Sequence, residues 1–349
     1  MKRLLGSLLA IMLLFAAVGC AVPLPSPASD PTEAPTEAVP AETTEAAEAP
    51  TDAPAEPEAP LPEDPNDYGD CVKDAEVLLY LPYGEQEDQI GLLGPDEDRD
   101  WYNGPTSFTV ADGKIYIVDS IKERAVIWDG KALSSFPLPE AGKAGECSLI
   151  AVAGGRIYGG YNNEETAAIS AFDMAGNKLS DLTLPEEMAE AGISRLFETD
   201  GKLCVYDYNS TCWELENGEF VKAYEIGVDQ PGHSRFTAAV GELAINIDSG
   251  ENSIAGIERI IGDRAYCRGY EFAEAAEKTD VGTSYRVYDP EGRLIGATAV
   301  KASETLTLDG SEMYVSQDGT VYIMACLKDG VYITRPNLRA AELWSTDND

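Results

Sequence analysis

The chain has one histidine, His233, in 349 residues, and 25 lysines and arginines stand against 62 aspartates and glutamates. A single imidazole cannot build a multi-histidine metal centre of the kind that supports metal-assisted hydrolysis or lyase chemistry. A formal net charge of −37 argues against a nucleic-acid partner, because phosphate recognition needs a clustered cationic surface. None of the seven cysteines forms a CxxC pair, which removes the usual zinc spacing. A membrane-spanning run is missing too. The one sustained apolar stretch, Leu4 to Val18, falls short of the roughly 20 residues a spanning helix needs, and Pro23, Pro25 and Pro27 prevent its extension as helix.

What is present begins with that short stretch. Lys2 and Arg3 precede it, giving the basic and then apolar order of a secretory signal. It ends in Ala17-Val18-Gly19-Cys20, which resembles the lipobox of bacterial lipoproteins, although that family prefers leucine where Ala17 stands. The resemblance implies cleavage before Cys20 and a diacylglycerol on its thiol, so that the membrane is a partner through this lipid alone and the protein is extracytoplasmic. Each buried methylene of such an anchor contributes about 0.8 kcal/mol.

Residues 21–66 hold twelve prolines and eleven acidic residues, with no lysine, arginine or aromatic residue. Such a segment buries too little apolar area to offset its ordering entropy and reads as a disordered stalk. Proline stiffens it and like charges extend it, to a limit on the order of 140 Å. The expected organisation is therefore a signal peptide over 1–19, a lipidated cysteine and stalk over 20–66, and a domain over 67–349.

A turn-and-strand phrase recurs in that domain: "DGKIYIVD" at 112–119, "GGRIYGGY" at 154–161, "DGKLCVYD" at 200–207, "GDRAYCRGY" at 262–270 and "DGTVYIMA" at 318–325. Its turn glycines, Gly113, Gly155, Gly201, Gly262 and Gly319, are spaced by 42, 46, 61 and 57 residues, so the later copies read as carrying insertions. Several copies continue into a polar loop, a further strand and a second turn, as in "RAVIWDGK" (124–131) and "YRVYDPEGRL" (285–294). Strand, turn, strand, loop, strand, turn, strand is a four-stranded meander, and repeated radially it is a β-propeller. The stretch "GPTSFTVADGKIYIVDSIKERAVIWDGK" (104–131) resembles a blade of the NHL-type and TolB-like six-bladed propellers of bacterial surface lipoproteins.

The expected fold is thus all-β, a propeller of four-stranded antiparallel blades, six by best count. The segment 235–248 is either a degenerate blade or the outer strands of the third. Ile115 and Ile117 should face one neighbour and Tyr116 and Val118 the other. "AEVLLYLP" (75–82) should pair with "GTVYIMA" or "GVYITRP" near the C-terminus and close the ring. Helix is expected over 184–192 and as an inserted turn within 270–280.

Candidate chemistry is sparse. Asp96, Asp98 and Asp100 alternate like the start of a calcium loop, but Trp101 replaces the glycine and Ser107 the closing glutamate, so Ca²⁺ is a weak candidate and no other cofactor is implied. Cys204 and Cys212 flank a turn in adjacent strands and form a possible disulfide. The lyases and lactonases that resemble this scaffold rely on histidine with a metal, and His233 alone cannot supply that cluster. No catalytic residue stands out. The leading reading is a non-enzymatic module binding a small ligand or an envelope protein. The alternatives are a carbohydrate-active enzyme using two acidic residues, or a scaffold for an envelope complex.

Overall fold

β-Branched and aromatic residues bounded by glycine turns make nearly every described segment a strand. A computed structural model of the chain describes residues 69–95, 102–140, 145–162, 166–229, 235–248, 253–271, 282–301, 303–306 and 312–340. The strand β1 (Ala75–Pro82) comes first and is followed by the first sheet, β2 (Ser107–Ala111), β3 (Lys114–Asp119), β4 (Arg124–Trp128) and β5 (Leu133–Pro137). The second sheet is β6 (Cys147–Ala153), β7 (Arg156–Asn162), β8 (Ala167–Phe172) and β9 (Lys178–Leu182). A short helix, α1 (Glu186–Ala191), leads to the third: β10 (Ile193–Thr199), β11 (Lys202–Asp207), β12 (Thr211–Glu216) and β13 (Glu219–Glu225). A fourth, three-stranded sheet holds β14 (Gly227–Asp229), β15 (Arg235–Val240) and β16 (Leu243–Asp248). The fifth has β17 (Ser253–Ile261), β18 (Arg264–Glu271), β19 (Thr283–Tyr288) and β20 (Leu294–Val300). The sixth joins β21 (Glu312–Val315), β22 (Val321–Leu327) and β23 (Gly330–Pro336) to β1, and β24 (Arg339–Ala340) adds a short edge to the fifth.

Six antiparallel sheets arranged as blades make this a β-propeller, and the cores between them close the ring. Tyr116, Val118, Ile150 and Phe172 pack between the first and second sheets. Ala151, Ile169, Leu196 and Val205 pack between the second and third. A larger cluster, with Phe197, Phe236, Ile245 and Cys267, holds the fourth sheet between the third and fifth. Val287 meets Ile323 between the fifth and sixth, and Leu81, Ile115, Ile117 and Ile333 join the sixth to the first. The alternation expected of β3 therefore holds: Ile115 and Ile117 enter one interface, Tyr116 and Val118 the other, and all four are buried.

β1 pairs antiparallel with β23, from Ala75 opposite Pro336 to Pro82 opposite Gly330, so the closing strand is "GVYITRP". α1 lies within the helix expected over 184–192, with Glu186 and Glu187 in its first turn and Gly192 at its end. The expected inserted turn over 270–280 falls almost wholly outside the described residues. The long interval between Gly201 and Gly262 contains a whole further sheet, and segment 235–248 forms two of its strands, so of the two readings kept open for that segment the degenerate blade is the one found. This sheet has three strands rather than four, held within the 22 residues from Gly227 to Asp248.

Aspartates tie the hairpin turns. Asp129 accepts from the backbone N–H groups of Lys131 and Ala132, Asp173 from those of Ala175 and Asn177, and Asp318 from that of Thr320. Bonds from Ala132 and Lys131 hold the Asp129 carboxyl below the ordinary 3.8; the Asn177 side chain and backbone do so for Asp173, and the Ser316 hydroxyl for Asp318. A carboxyl whose value is depressed on folding stabilises fully above its unfolded value, and that stabilisation is lost as pH falls through the folded value. Urea midpoints should therefore drop steeply below about pH 4. The triple variant Asp129→Asn, Asp173→Asn, Asp318→Asn keeps the acceptors but not the titration, and should flatten that drop. Parallel losses in the two proteins would refute the assignment.

Gly292 closes the β19–β20 turn at φ +79°, where an added methyl would run into the carbonyl oxygen of Asn246 in β16. Gly292→Ala should lower stability by about 1–2 kcal/mol from the left-handed backbone alone, and by more from the clash, read as a shifted urea midpoint.

Candidate functional site

The blades converge on a cavity of about 550 Å³. β2 lies beside β6 and β21, and β6 beside β10. The lining comes from these four strands, from β17 and β18, and from the end of β11 with its following turn, while the fourth sheet adds Val228 and Phe236. Three of the inner strands carry a bulge, and its extra residue lines the cavity in each case: Ser148 in β6, Ser194 in β10 and Glu258 in β17. A bulge leaves one residue unpaired and re-aims its side chain. In β17 this puts a carboxylate where a regular strand would keep alternation.

Glu258 is the centre of a four-membered ionic network. It meets the Arg195 guanidinium on one side, and its other oxygen lies 3.1 Å from Arg268 Nε. Arg268 Nη1 donates to Glu312 Oε1 at 3.0 Å, and Arg195 Nη1 donates to the Met313 carbonyl at 3.1 Å. β10, β17, β18 and β21 are thereby cross-linked around one space. The Glu258 side chain is 5% exposed, whereas those of Arg195, Arg268 and Glu312 keep about a fifth of their surface open. Burial raises the Glu312 carboxyl above its ordinary range, against the pull of Arg268 and Arg195. Opposite Arg268 on β19 sits Tyr285, fully buried, its phenol pushed up by burial and its hydroxyl without a hydrogen-bond partner among the described residues.

Arg259, next to Glu258, is used differently. Its guanidinium donates to the carbonyls of Val315 and Glu198 and to Thr199 Oγ1, and lies 4.8 Å over the ring of Phe197. It staples β17 to β10 and β21 through charge-assisted hydrogen bonds.

Most residues singled out in the sequence lie elsewhere. Cys20, Asp96, Asp98, Asp100 and His233 are outside the described residues. Cys204 and Cys212 are buried on β11 and β12 and carry free thiols rather than a disulfide. Their register is offset, Cys204 lying opposite Glu214 and Cys212 opposite Tyr206. Cys212 hydrogen-bonds to Cys204, which lowers the Cys204 thiol and raises that of Cys212. Tyr116, Tyr158, Cys204 and Tyr322 share one position in the recurring turn-and-strand phrase; the first three are buried between blades, Tyr322 packs half-buried against the core between the sixth and first sheets, and they do not form a ring of ligand contacts. Among the described residues, no group of three or more His, Cys, Asp or Glu side chains is arranged to hold a metal, and no helix is long and apolar enough to cross a membrane.

The sequence reading missed Arg195, Glu258, Arg259, Arg268 and Glu312. A signal was available: "ISRLFET" and "GIERII" place charges inside strands otherwise apolar enough for an inner position. Charges at such positions are expensive unless paired.

No family model matches the chain, and no curated protein matches it either. Among solved structures it is similar to a streptogramin B lyase, at 11% identity and a TM-score of 0.40, over 78% of this chain and 96% of that one. It is also similar to a gluconolactonase of Xanthomonas campestris, at 13% identity and a TM-score of 0.43, over 77% and 99%. BamB of Moraxella catarrhalis gives 11% and 0.38, over 77% and 93%.

Proposed function

We propose that this chain is a lipid-anchored, extracytoplasmic binding module, with no catalytic activity, whose propeller holds a ligand at the central channel. The channel cavity carries this reading. Its volume lies within the 300–1,000 Å³ typical of ligand pockets, and it combines aromatic rings with a few fixed polar groups. Both channel carboxylates, Glu258 and Glu312, are already engaged by guanidiniums, an arrangement suited to a rigid polar wall more than to proton transfer. Thermal melting of the full chain against saccharides, peptides and cell-wall fragments tests it. A ligand at about 100 times its dissociation constant stabilises the native state by about 2.7 kcal/mol. No shift across the set, or a shift unchanged by Phe236→Ala, which removes a ring from the lining, would refute channel binding.

The anchor is supported by the basic, apolar and lipobox-like order that ends at Cys20. Cys20→Ala should move the protein from the membrane fraction to the soluble one; full retention in the membrane would overturn it. A second reading, a glycoside-cleaving enzyme, is favoured by one observation: Glu312, raised by burial, shares the channel with Glu258. Turnover of a glycoside abolished by Glu312→Gln would establish it.

A further inference from the structure

Tyr208, in the turn between β11 and β12, lines the same cavity yet leaves 66% of its surface in solvent. Exposed tyrosines usually sample several rotamers. This one is held: its backbone N–H donates to the Gly192 carbonyl, its hydroxyl accepts from Asn162 Nδ2 at 3.3 Å, and its ring lies across the Cα of Gly192. A methyl at Gly192, whose φ is +80°, would come within 3.0 Å of the Tyr208 ring. Asn162 is itself fixed by donating to the Ile193 carbonyl. The result is a flat aromatic face, pinned on its back and edge, open on the other side at the channel mouth.

The charges behind it balance. Among the described lining residues three arginines, Arg195, Arg259 and Arg268, are matched in number by three carboxylates, Asp207, Glu258 and Glu312, in a chain whose net charge is −37. A site for an anion or a cation would carry an excess of the opposite sign; this one offers paired donors and acceptors without a net field. Two of the bulges add serine hydroxyls to the lining: Ser148, and Ser194, which donates to the carbonyls of Tyr206 and Asp207 and so presents its lone pairs as acceptors. A fixed aromatic face beside neutral hydroxyls and charge-balanced donors and acceptors matches a ligand with an apolar C–H face and a rim of hydroxyls.

We infer that the channel mouth takes a neutral saccharide, with the Tyr208 ring as the face on which a pyranose stacks; this rests on the channel being a binding site at all. The test is calorimetric titration of the full chain with five probes of equal length. Two are neutral, hexamers of β-1,4-linked glucose and N-acetylglucosamine; two are charged, hexamers of galacturonate and of glucosamine; the fifth is an end-capped hexaalanine peptide. At least one neutral hexamer should bind, with affinity nearly unchanged between 50 and 500 mM salt, since no charge on the ligand is screened. Tyr208→Ala should weaken it by about tenfold or more, and Tyr208→Phe should stay within about threefold, because stacking uses the ring and not the hydroxyl. Because Tyr208 is exposed, both variants should melt with the parent, which keeps folding apart from binding. Binding by neither neutral hexamer, tighter binding of a charged one, or indifference to Tyr208→Ala would each overturn the inference. Peptide binding without saccharide binding would overturn it while leaving the channel-binding reading in place; silence in the melting panel as well would remove both.

Discussion

Glu258→Ala should lower the unfolding free energy by about 3–5 kcal/mol, the usual consequence of removing one partner from a buried ion pair. The loss comes less from the attraction forfeited than from what remains. Arg195 and Arg268 both face Glu258 and would keep their charge with only about a fifth of each side chain open to water. Glu312 compensates in part, since it is 3.0 Å from Arg268 but 3.9 Å from Arg195. Arg195 is therefore the group left worst served. Replacing Glu258, Arg195, Arg268 and Glu312 together with apolar residues of similar size should cost far less than Glu258→Ala alone, because no charge is stranded. Urea denaturation of the two variants decides this. If the quadruple variant is the less stable, the network is a net source of stability and stranded charge is not the main cost of Glu258→Ala.

Deleting residues 75–82 should be worse still. β1 supplies Leu79 and Leu81 to the interface between the sixth and first sheets, and both are buried. At about 1.5–3 kcal/mol for each buried side chain, the burial alone approaches the 5–15 kcal/mol that holds a typical domain together. The deletion also uncovers the edge of β23, seven residues whose N–H and C=O groups would seek another strand. The expected result is a melting temperature too low for a folded population at 37 °C, with oligomers in sedimentation. Leu81→Ala gives a graded version, about 2–5 kcal/mol. An unchanged melting temperature after the deletion would mean that the ring does not depend on its seam.

The contrast between these two variants matches what could be read in advance. The seam was legible because "AEVLLYLP" is a strand with no turn to a partner beside it, and a propeller needs its first and last strands joined. Blade alternation was legible for the same local reason, as Ile115 to Val118 show. The fourth sheet was only half legible, because Gly241 ends "RFTAAVG" without the Asp-Gly or Gly-Gly phrase that marked its neighbours, so 235–248 read equally as a degenerate blade or as outer strands of the third. The ionic network was harder. Its members come from β10, β17, β18 and β21, and no spacing between positions 195 and 312 announces that they meet. Glu258 faces inward only because a bulge breaks the alternation of β17, a backbone irregularity with no residue type of its own. Sequence periodicity reports regular strands, and the site is built where one of them stops being regular.

The seam also sets a clock. The Thr334 hydroxyl donates to the Cys71 carbonyl across 263 residues of chain, and β1 waits for a partner, β23, that follows the other five sheets in the chain. At translation rates of about 5–20 residues per second, that wait is on the order of 10–50 s. During it Leu79 and Leu81 have no mate, and every blade already formed belongs to an open arc whose two end faces are apolar. Contacts this distant in sequence form slowly even when the whole chain is available. A propeller closed in this way is finished all at once, and anything that delays its closing strand prolongs the interval in which two unfinished copies can close on each other instead.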